Sequence, residues 1–411
     1  MATRRVRLAE RRKAIGYTQE QLAEQLGVER TTIARWEAGS NEPQPWQRPN
    51  LAMALHVSVD ELIALLNEAG IRSVVGLPAV QEHGAPLVEP PSQILERIQQ
   101  QGTGHVTDTV LDALDAYIED VVEHYEEKGP TALAPDVVRQ RQWLQKSLVT
   151  CPPSKRGERL VGIAGRLSAM LAYMATNLGR FHSARAYAIE AFALADQIGD
   201  ADLKSWVRGT QSFTEYYTGN YRQALDYALD GQRYAGSGQQ AVRLVINGEA
   251  RALAKMQQPI DCTVGRAYEI LAALRPPLGM SSCISFGLYS EARVASNAAT
   301  AYLSLRQTTR VLEHAAWAAG VADASPSIWS QALVRLDTAS ALAEGQHLDL
   351  ERATNLCREA MTVSRHRQVE SVRQRTREFV RRLRPWQDVP VAAELAEEVE
   401  AWLSDGVSTH G

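Results

Sequence analysis

Two stretches, GRFHSARAYAIEA from Gly179 and GNYRQALDYALDG from Gly219, repeat one pattern at a displacement of 40 residues. Each has a glycine, an aromatic residue two positions later and an alanine five positions later. Aligned on that alanine, the chain offers Ala184, Ala224, Ala267, Val311 and Ala353, at intervals of 40, 43, 44 and 42 residues. Four residues beyond each anchor stand Ala188, Ala228, Leu271, Ala315 and Cys357; seven beyond stand Ala191, Gly231, Leu274, Ala318 and Ala360. Such positions share one helix face, and small residues there let another helix approach closely. A face that recurs in this way favours stacked helix pairs over an irregular helical bundle, because one unit alone cannot bury it.

From about residue 105 to 403, nearly every segment reads as helical and is broken at Gly/Pro clusters such as 129–130, 152–157, 236–238 and 276–279. No segment shows convincing period-two alternation, and Ala, Leu, Arg and Glu are abundant while Phe is scarce. That balance favours helices over strands, so the expected fold class is all-α. A chain of 411 residues is too long for one typical core. Residues 1–67 read as a first domain, 68–104 as a linker and 105–403 as the helical-repeat domain, with 404–411 a disordered tail. The linker reading rests on 70–92, where Pro78, Pro86, Pro90 and Pro91 stand among scattered glycines without a helical period.

Within the first domain lies QEQLAEQLGVERTTIARWEA, residues 19–38. Two helices crossing through a tight turn need a small residue at the crossing, a glycine at the turn and apolar residues that lock the angle. Ala23 and Gly27 supply the first two, and Leu22, Leu26, Val28, Ile33 and Trp36 supply the third. Thr18 with Gln21 forms a capping box for the first helix. With Ile33 and Trp36 turned inward, helical spacing leaves Glu29, Arg30, Thr31 and Arg35 outward. Arginine can grip guanine O6 and N7 with two prongs, and threonine can meet a thymine methyl, so this face suits the major groove of double-stranded DNA. The same residues could also form an ordinary solvated helix face.

The formal charge of −4 gives no general attraction to nucleic acid; its distribution, a basic arm on a near-neutral domain, suits phosphate contact at one edge and equally a solvated, disordered start. Residues 1–67 hold nine Lys/Arg, six of them within the first 13 residues. Arg4, Arg5 and Arg7 in that arm suit the DNA backbone or a neighbouring groove. Cys151, Cys262, Cys283 and Cys357 lie far apart, without zinc-site or disulfide-framework spacing, and read as reduced thiols, mostly buried. Asp120, His124 and Glu127 share a helix face that a metal could use, yet a solvated face accounts for them better. No signal peptide and no run of about 18 apolar residues is present, so no membrane partner and a cytoplasmic location are expected. No Walker loop, GxGxxG after a strand, HExxH or GxSxG occurs. Neither enzymatic activity nor a cofactor is expected.

LAERRKAIGYTQEQLAEQLGVERTTIARWEAGSNEP, followed by LAMALHVSVDELIALL, closely resembles the five-helix, lambda-repressor-like domain of the Xre/Cro-type repressors over residues 7–66. The resemblance implies that 29–37 is a recognition helix, with Gln19 and Thr32 touching phosphates. PWQRPNL departs from the pattern, because Pro45 and Pro49 crowd the start of the fourth helix. Domains of this type usually pair on a palindrome, which implies a homodimer, held here through the larger domain.

The repeats at 165–235 resemble tetratricopeptide repeats, with a period longer than the usual 34 residues or so. That likeness implies an α-solenoid with a concave face lined by first helices. Tyr173, Asn177, Trp206, Phe213, Tyr216 and Tyr217 fall on it, and Asn247 and Asn297 lie on corresponding helices. The aromatic residues suit an apolar ligand group, and the asparagines could clamp a peptide backbone. Packing against neighbouring helices explains any one of these residues equally simply. The combined arrangement resembles the peptide-responsive regulators of Gram-positive bacteria, a quorum-sensing class, which implies a peptide or other small-molecule effector. The alternative is a protein-interaction scaffold anchored to DNA. In SRHRQVESVRQRTREFVRRLRPW, Val369, Val372, Phe379 and Leu383 form a buried stripe, with the arginines expected outside.

Overall fold

Helices and their connections account for all that the computed structural model describes, namely residues 5–41, 43, 47–55, 57, 62, 65–66, 89–101, 106–150, 154–345 and 348–405. No strand occurs among them, and no helix among them is long and apolar enough to cross a membrane. The chain divides into two units, Met1–Ala85 and Pro86–Gly411.

In the first unit, α1 (Val6–Ala14), α2 (Gln19–Leu26), α3 (Arg30–Glu37) and α4 (Arg48–Ala54) surround one core. Helical residues recur at Leu62 and 65–66, where a fifth helix is expected. Leu8, Leu22, Ile33, Trp36, Leu51, Leu55 and Leu62 fill the core. Pro49 does not obstruct α4, because it stands in the first turn, where a missing N–H costs no helical bond. Pro45 lies outside the described residues.

The second unit opens with α5 (Pro91–Gln101), α6 (Asp108–Lys128), α7 (Pro130–Thr150) and α8 (Lys155–Asn177). Next come α9 (Phe181–Gln197), α10 (Ala201–Tyr217) and α11 (Tyr221–Ala235). Helix α12 is composite: Ala241–Arg243, a π-helical segment Leu244–Ala250, then Arg251–Lys255. Then follow α13 (Asp261–Ala273), α14 (Glu291–Ser304), α15 (Thr308–Asp323) and α16 (Ile328–Leu342). The unit ends with α17 (Leu350–Ser364), α18 (Glu370–Arg382) and α19 (Pro390–Asp405). Side chains cap many helix starts: Ser154, Asp200, Ser290, Ser327 and Asp349 each accept from a backbone N–H three residues on.

Successive helices pack as pairs, α8 with α9, α10 with α11, α14 with α15 and α16 with α17. The turns after α8 and α10 pass through Gly179 and Gly219 at φ 70° and 84°, where a side chain would be strained. All five anchors, Ala184, Ala224, Ala267, Val311 and Ala353, are fully buried. Helix α12 departs from α-helical geometry over Leu244–Ala250. At its middle, Gly248 lies so close to α11 that a Cβ there would stand 2.7 Å from that of Ala228.

Two boundaries differ from the sequence reading. The range 68–104 is not linker throughout, because α5 packs on α6 and buries Leu95 completely. The tail assigned to 404–411 begins inside α19, which reaches Asp405; 406–411 lie outside the described residues. Helix α18 buries Val369, Val372, Phe379 and Leu383 as expected, but Arg375 also turns inward and pairs with the buried Asp337. Cys357 is buried, whereas Cys262 is exposed.

Candidate nucleic-acid interface and interior cavity

Helix α2 begins with the expected reciprocal cap. Gln21 N donates to Thr18 Oγ1 at 3.1 Å, and Thr18 N donates to Gln21 Oε1 at 2.8 Å. It ends at Gly27, whose φ of 63° turns the chain toward α3. Leu22, Ala23, Ile33 and Trp36 are buried and set the crossing of the two helices, with Leu26 and Val28 half-buried beside them.

A charged pair that local spacing does not reveal fastens α3 further. Arg12 Nε donates to Glu37 Oε1 at 2.6 Å and Nη2 to Oε2 at 3.4 Å, with both side chains more than nine-tenths buried. Arg12 Nη1 also donates to the Tyr17 carbonyl at 2.5 Å. A buried pair is stable only with such supplementary bonds. It ties α1 to the last turn of α3 and holds α3 in place.

The outer face of α3 is then left to Arg30, Thr31 and Arg35, all exposed. Arg30 reaches Glu20 at 2.6 Å, a solvent-exposed pair of little strength that a ligand can displace. Thr31 Oγ1 donates to Glu29 Oε2 at 3.1 Å. Thr32 is half-buried at the edge of this face. Gln19 Nε2 donates to Glu37 Oε2 at 2.7 Å, so its amide is bound within the domain and only its first-turn N–H faces outward chemistry.

Arg5 is not part of that surface. It is buried, with Nε donating to the Leu66 carbonyl at 2.6 Å and Nη1 to the carbonyls of Trp36 (3.1 Å) and Asn41 (2.7 Å). A guanidinium used in this way closes the fold and cannot follow a phosphate backbone. Arg4 and the side chain of Arg7 lie outside the described residues.

In the second unit, Tyr173, Asn177, Phe213, Tyr217, Asn247 and Asn297 border one interior cavity of about 60 Å³. Trp206 and Tyr216 do not. Trp206 is buried against Phe286 and donates Nε1–H to the Ser285 carbonyl at 2.8 Å. Tyr216 packs on Tyr217 and Tyr221 and borders a separate cleft. The asparagine amides are already used: Asn177 donates to Tyr125 Oη, Asn247 to Tyr289 Oη and Asn297 to the Arg293 carbonyl.

Spacing also gave no sign of the charges around this cavity. Arg293 meets Glu126 at 2.6 Å, and Glu126 also accepts from Cys283 N and Ser327 Oγ. Arg375 meets Asp337 and Thr300. Among the described residues, Arg251, 3% exposed, hydrogen-bonds to neutral groups alone: Asn247 Oδ1 at 2.7 Å, Tyr217 Oη at 3.2 Å and Asn297 Oδ1 at 3.4 Å. Burial pushes the Cys283 thiol well above its usual range, so it stays neutral. Among the described residues, no group of three or more His, Cys, Asp or Glu could hold a metal ion.

Comparison with known proteins bears on the first unit. A transcriptional repressor of the cryptic phage CTXphi, RstR, from Vibrio cholerae serotype O1, is 41% identical over 56 residues. The match covers 14% of this chain and 50% of that repressor's own length. Residues 8–62 match the family model described as Helix-turn-helix, and over this span the chain carries a helix-turn-helix domain.

Proposed function

We propose that the protein is a sequence-specific DNA-binding transcriptional regulator. The observation that carries this is α3, fixed on its inner face by Ile33, Trp36 and the Arg12–Glu37 pair, with Arg30, Thr31 and Arg35 exposed on its outer face. A rigid helix bearing two solvent-exposed arginines, one held only by a displaceable surface pair, suits direct reading of base edges in the major groove. Thr32 and the first-turn N–H of Gln19 take the positioning contacts to phosphate. The domain's likeness to part of a phage repressor supports this reading.

One such domain covers half a site, so the protein acts as a homodimer joined through its helical-repeat unit. That unit is a tetratricopeptide-like solenoid that senses a peptide or other small ligand. The interior cavity, which gathers six of the eight residues proposed for ligand contact, supports the sensing role.

Selection of genomic fragments by the full chain, followed by footprinting, tests the reading. It should return a palindrome with half-sites one helical turn or a multiple apart. Arg35→Ala should cost about 1–3 kcal/mol on that site and relax preference at one base position. Equal weakening on every sequence would reassign Arg35 to phosphate, and retention of no enriched sequence would overturn the proposal.

A further inference from the structure

Arg251 lacks the usual counter-charge of a buried arginine. Among the described residues no Asp or Glu pairs with it, and its buried Nε has no hydrogen-bond partner. Its two neighbours on the cavity wall, Arg293 and Arg375, are each neutralised by a carboxylate. The guanidinium lies 4.0 Å from the centre of the Tyr216 ring. A ring face offsets only part of the cost of taking a cation out of water. The positive excess is also felt by Tyr216: burial raises its phenol pKa, yet Lys255, Arg251 and Arg375 together hold it below its ordinary value.

The cavity beside Arg251 has room, at about 60 Å³, for roughly four to six waters or one anionic group. A cleft of about 230 Å³ shares Tyr217 and Arg375 with it. The same cleft shares Tyr221, Lys255, Arg381 and the Lys255 partner Glu378 with an outer groove of about 950 Å³. Among the described residues, that groove carries Lys255, Arg306, Arg381 and Arg382 against Glu344 and Glu378. A chain of formal charge −4 thus presents a positive approach to a positive interior.

We infer that this cavity binds an anion, a carboxylate or a phosphate group that enters by the cleft and meets the guanidinium of Arg251. The bound group supplies the counter-charge that this guanidinium lacks; Tyr217 Oη and the two asparagines, which already meet Arg251, frame it. As an anion site it stands on the cavity; as the effector site it rests on the regulatory role proposed above.

The test uses the full chain, titrated with sodium acetate, disodium succinate and inorganic phosphate against sodium chloride at constant ionic strength. At least one of the three should raise Tm in proportion to the logarithm of its concentration above its dissociation constant, reaching about 2 °C at ten times that constant. Such a logarithmic rise with acetate or succinate alone assigns a carboxylate, and one with phosphate alone assigns a phosphate. Asn247→Asp places an internal carboxylate on Arg251; it should raise Tm without added anion and abolish the logarithmic rise. General salting effects act on both proteins alike, so the difference between them is the readout. Arg251→Gln, if it folds, should also lose the response. No logarithmic response to any anion, or a full response in Asn247→Asp, overturns the inference. The same samples are scored for DNA retention: a logarithmic anion response with unchanged retention keeps the site and removes its effector role.

Discussion

Replacing Glu37 by alanine removes two of the three acceptors that Arg12 uses and leaves its guanidinium buried with the Tyr17 carbonyl. It also frees the Gln19 amide. Stranding one member of a buried pair costs about 3–5 kcal/mol. A unit the size of the helix-turn-helix span has a total stability of only about 3–9 kcal/mol, so the change takes much or all of it. Hydrogen exchange on the full chain, read by mass spectrometry, resolves where the loss falls. Protection of 30–37 should drop by a factor of about a hundred to several thousand. Protection of 155–304, in the other unit, should not move. Glu37→Gln keeps one acceptor and loses the charge, so its loss should be smaller. DNA binding by Glu37→Ala should fall with the folded fraction, whereas Arg35→Ala should weaken binding with exchange unchanged. Wild-type protection of 30–37 in Glu37→Ala would refute the role given to this pair.

Gly248→Ala should destabilise the second unit by about 1–3 kcal/mol in denaturant titration, because a Cβ there has only 2.7 Å to Ala228. Gly265→Ala, mid-helix in α13 with nothing within 4 Å, should stabilise it by about 0.5–1 kcal/mol. Burial lowers the pKa of His314 below its ordinary 6.5, with Arg310 adding to the effect. The unfolded chain then binds the proton more readily, so stability should fall as pH drops below about 6.5, and His314→Gln should flatten that limb of the melting-temperature profile.

What could be read in the sequence was short-range. The Thr18–Gln21 cap, the Gly27 turn and the inward set Leu22, Ala23, Ile33 and Trp36 all lie within one pair of helices, where spacing fixes direction. The repeat anchors were equally plain, because a close helix crossing tolerates only small side chains at fixed offsets. Interior charge was not legible. Arg5, Arg12, Arg251, Arg293 and Arg375 find their partners at long range, and a helical pattern assigns every arginine to solvent by default. Trp206 and Tyr216 lie on the expected helix but are consumed by packing: Phe286, distant in sequence, takes Trp206, while Tyr216 meets Tyr217, Tyr221 and the distant Arg251 guanidinium. Prolines drew the linker boundary too far, although Pro91 begins a helix as readily as it ends one.

The side chain of Arg5 joins residues that are 31, 36 and 61 positions away. During synthesis these partners emerge one after another, and the last, Leu66, appears well after α3 is complete. A nascent chain therefore displays α3 before the clasp behind it can shut. Shortened chains that stop ahead of Leu66 should behave as open rings, with α3 formed but its far end unfastened.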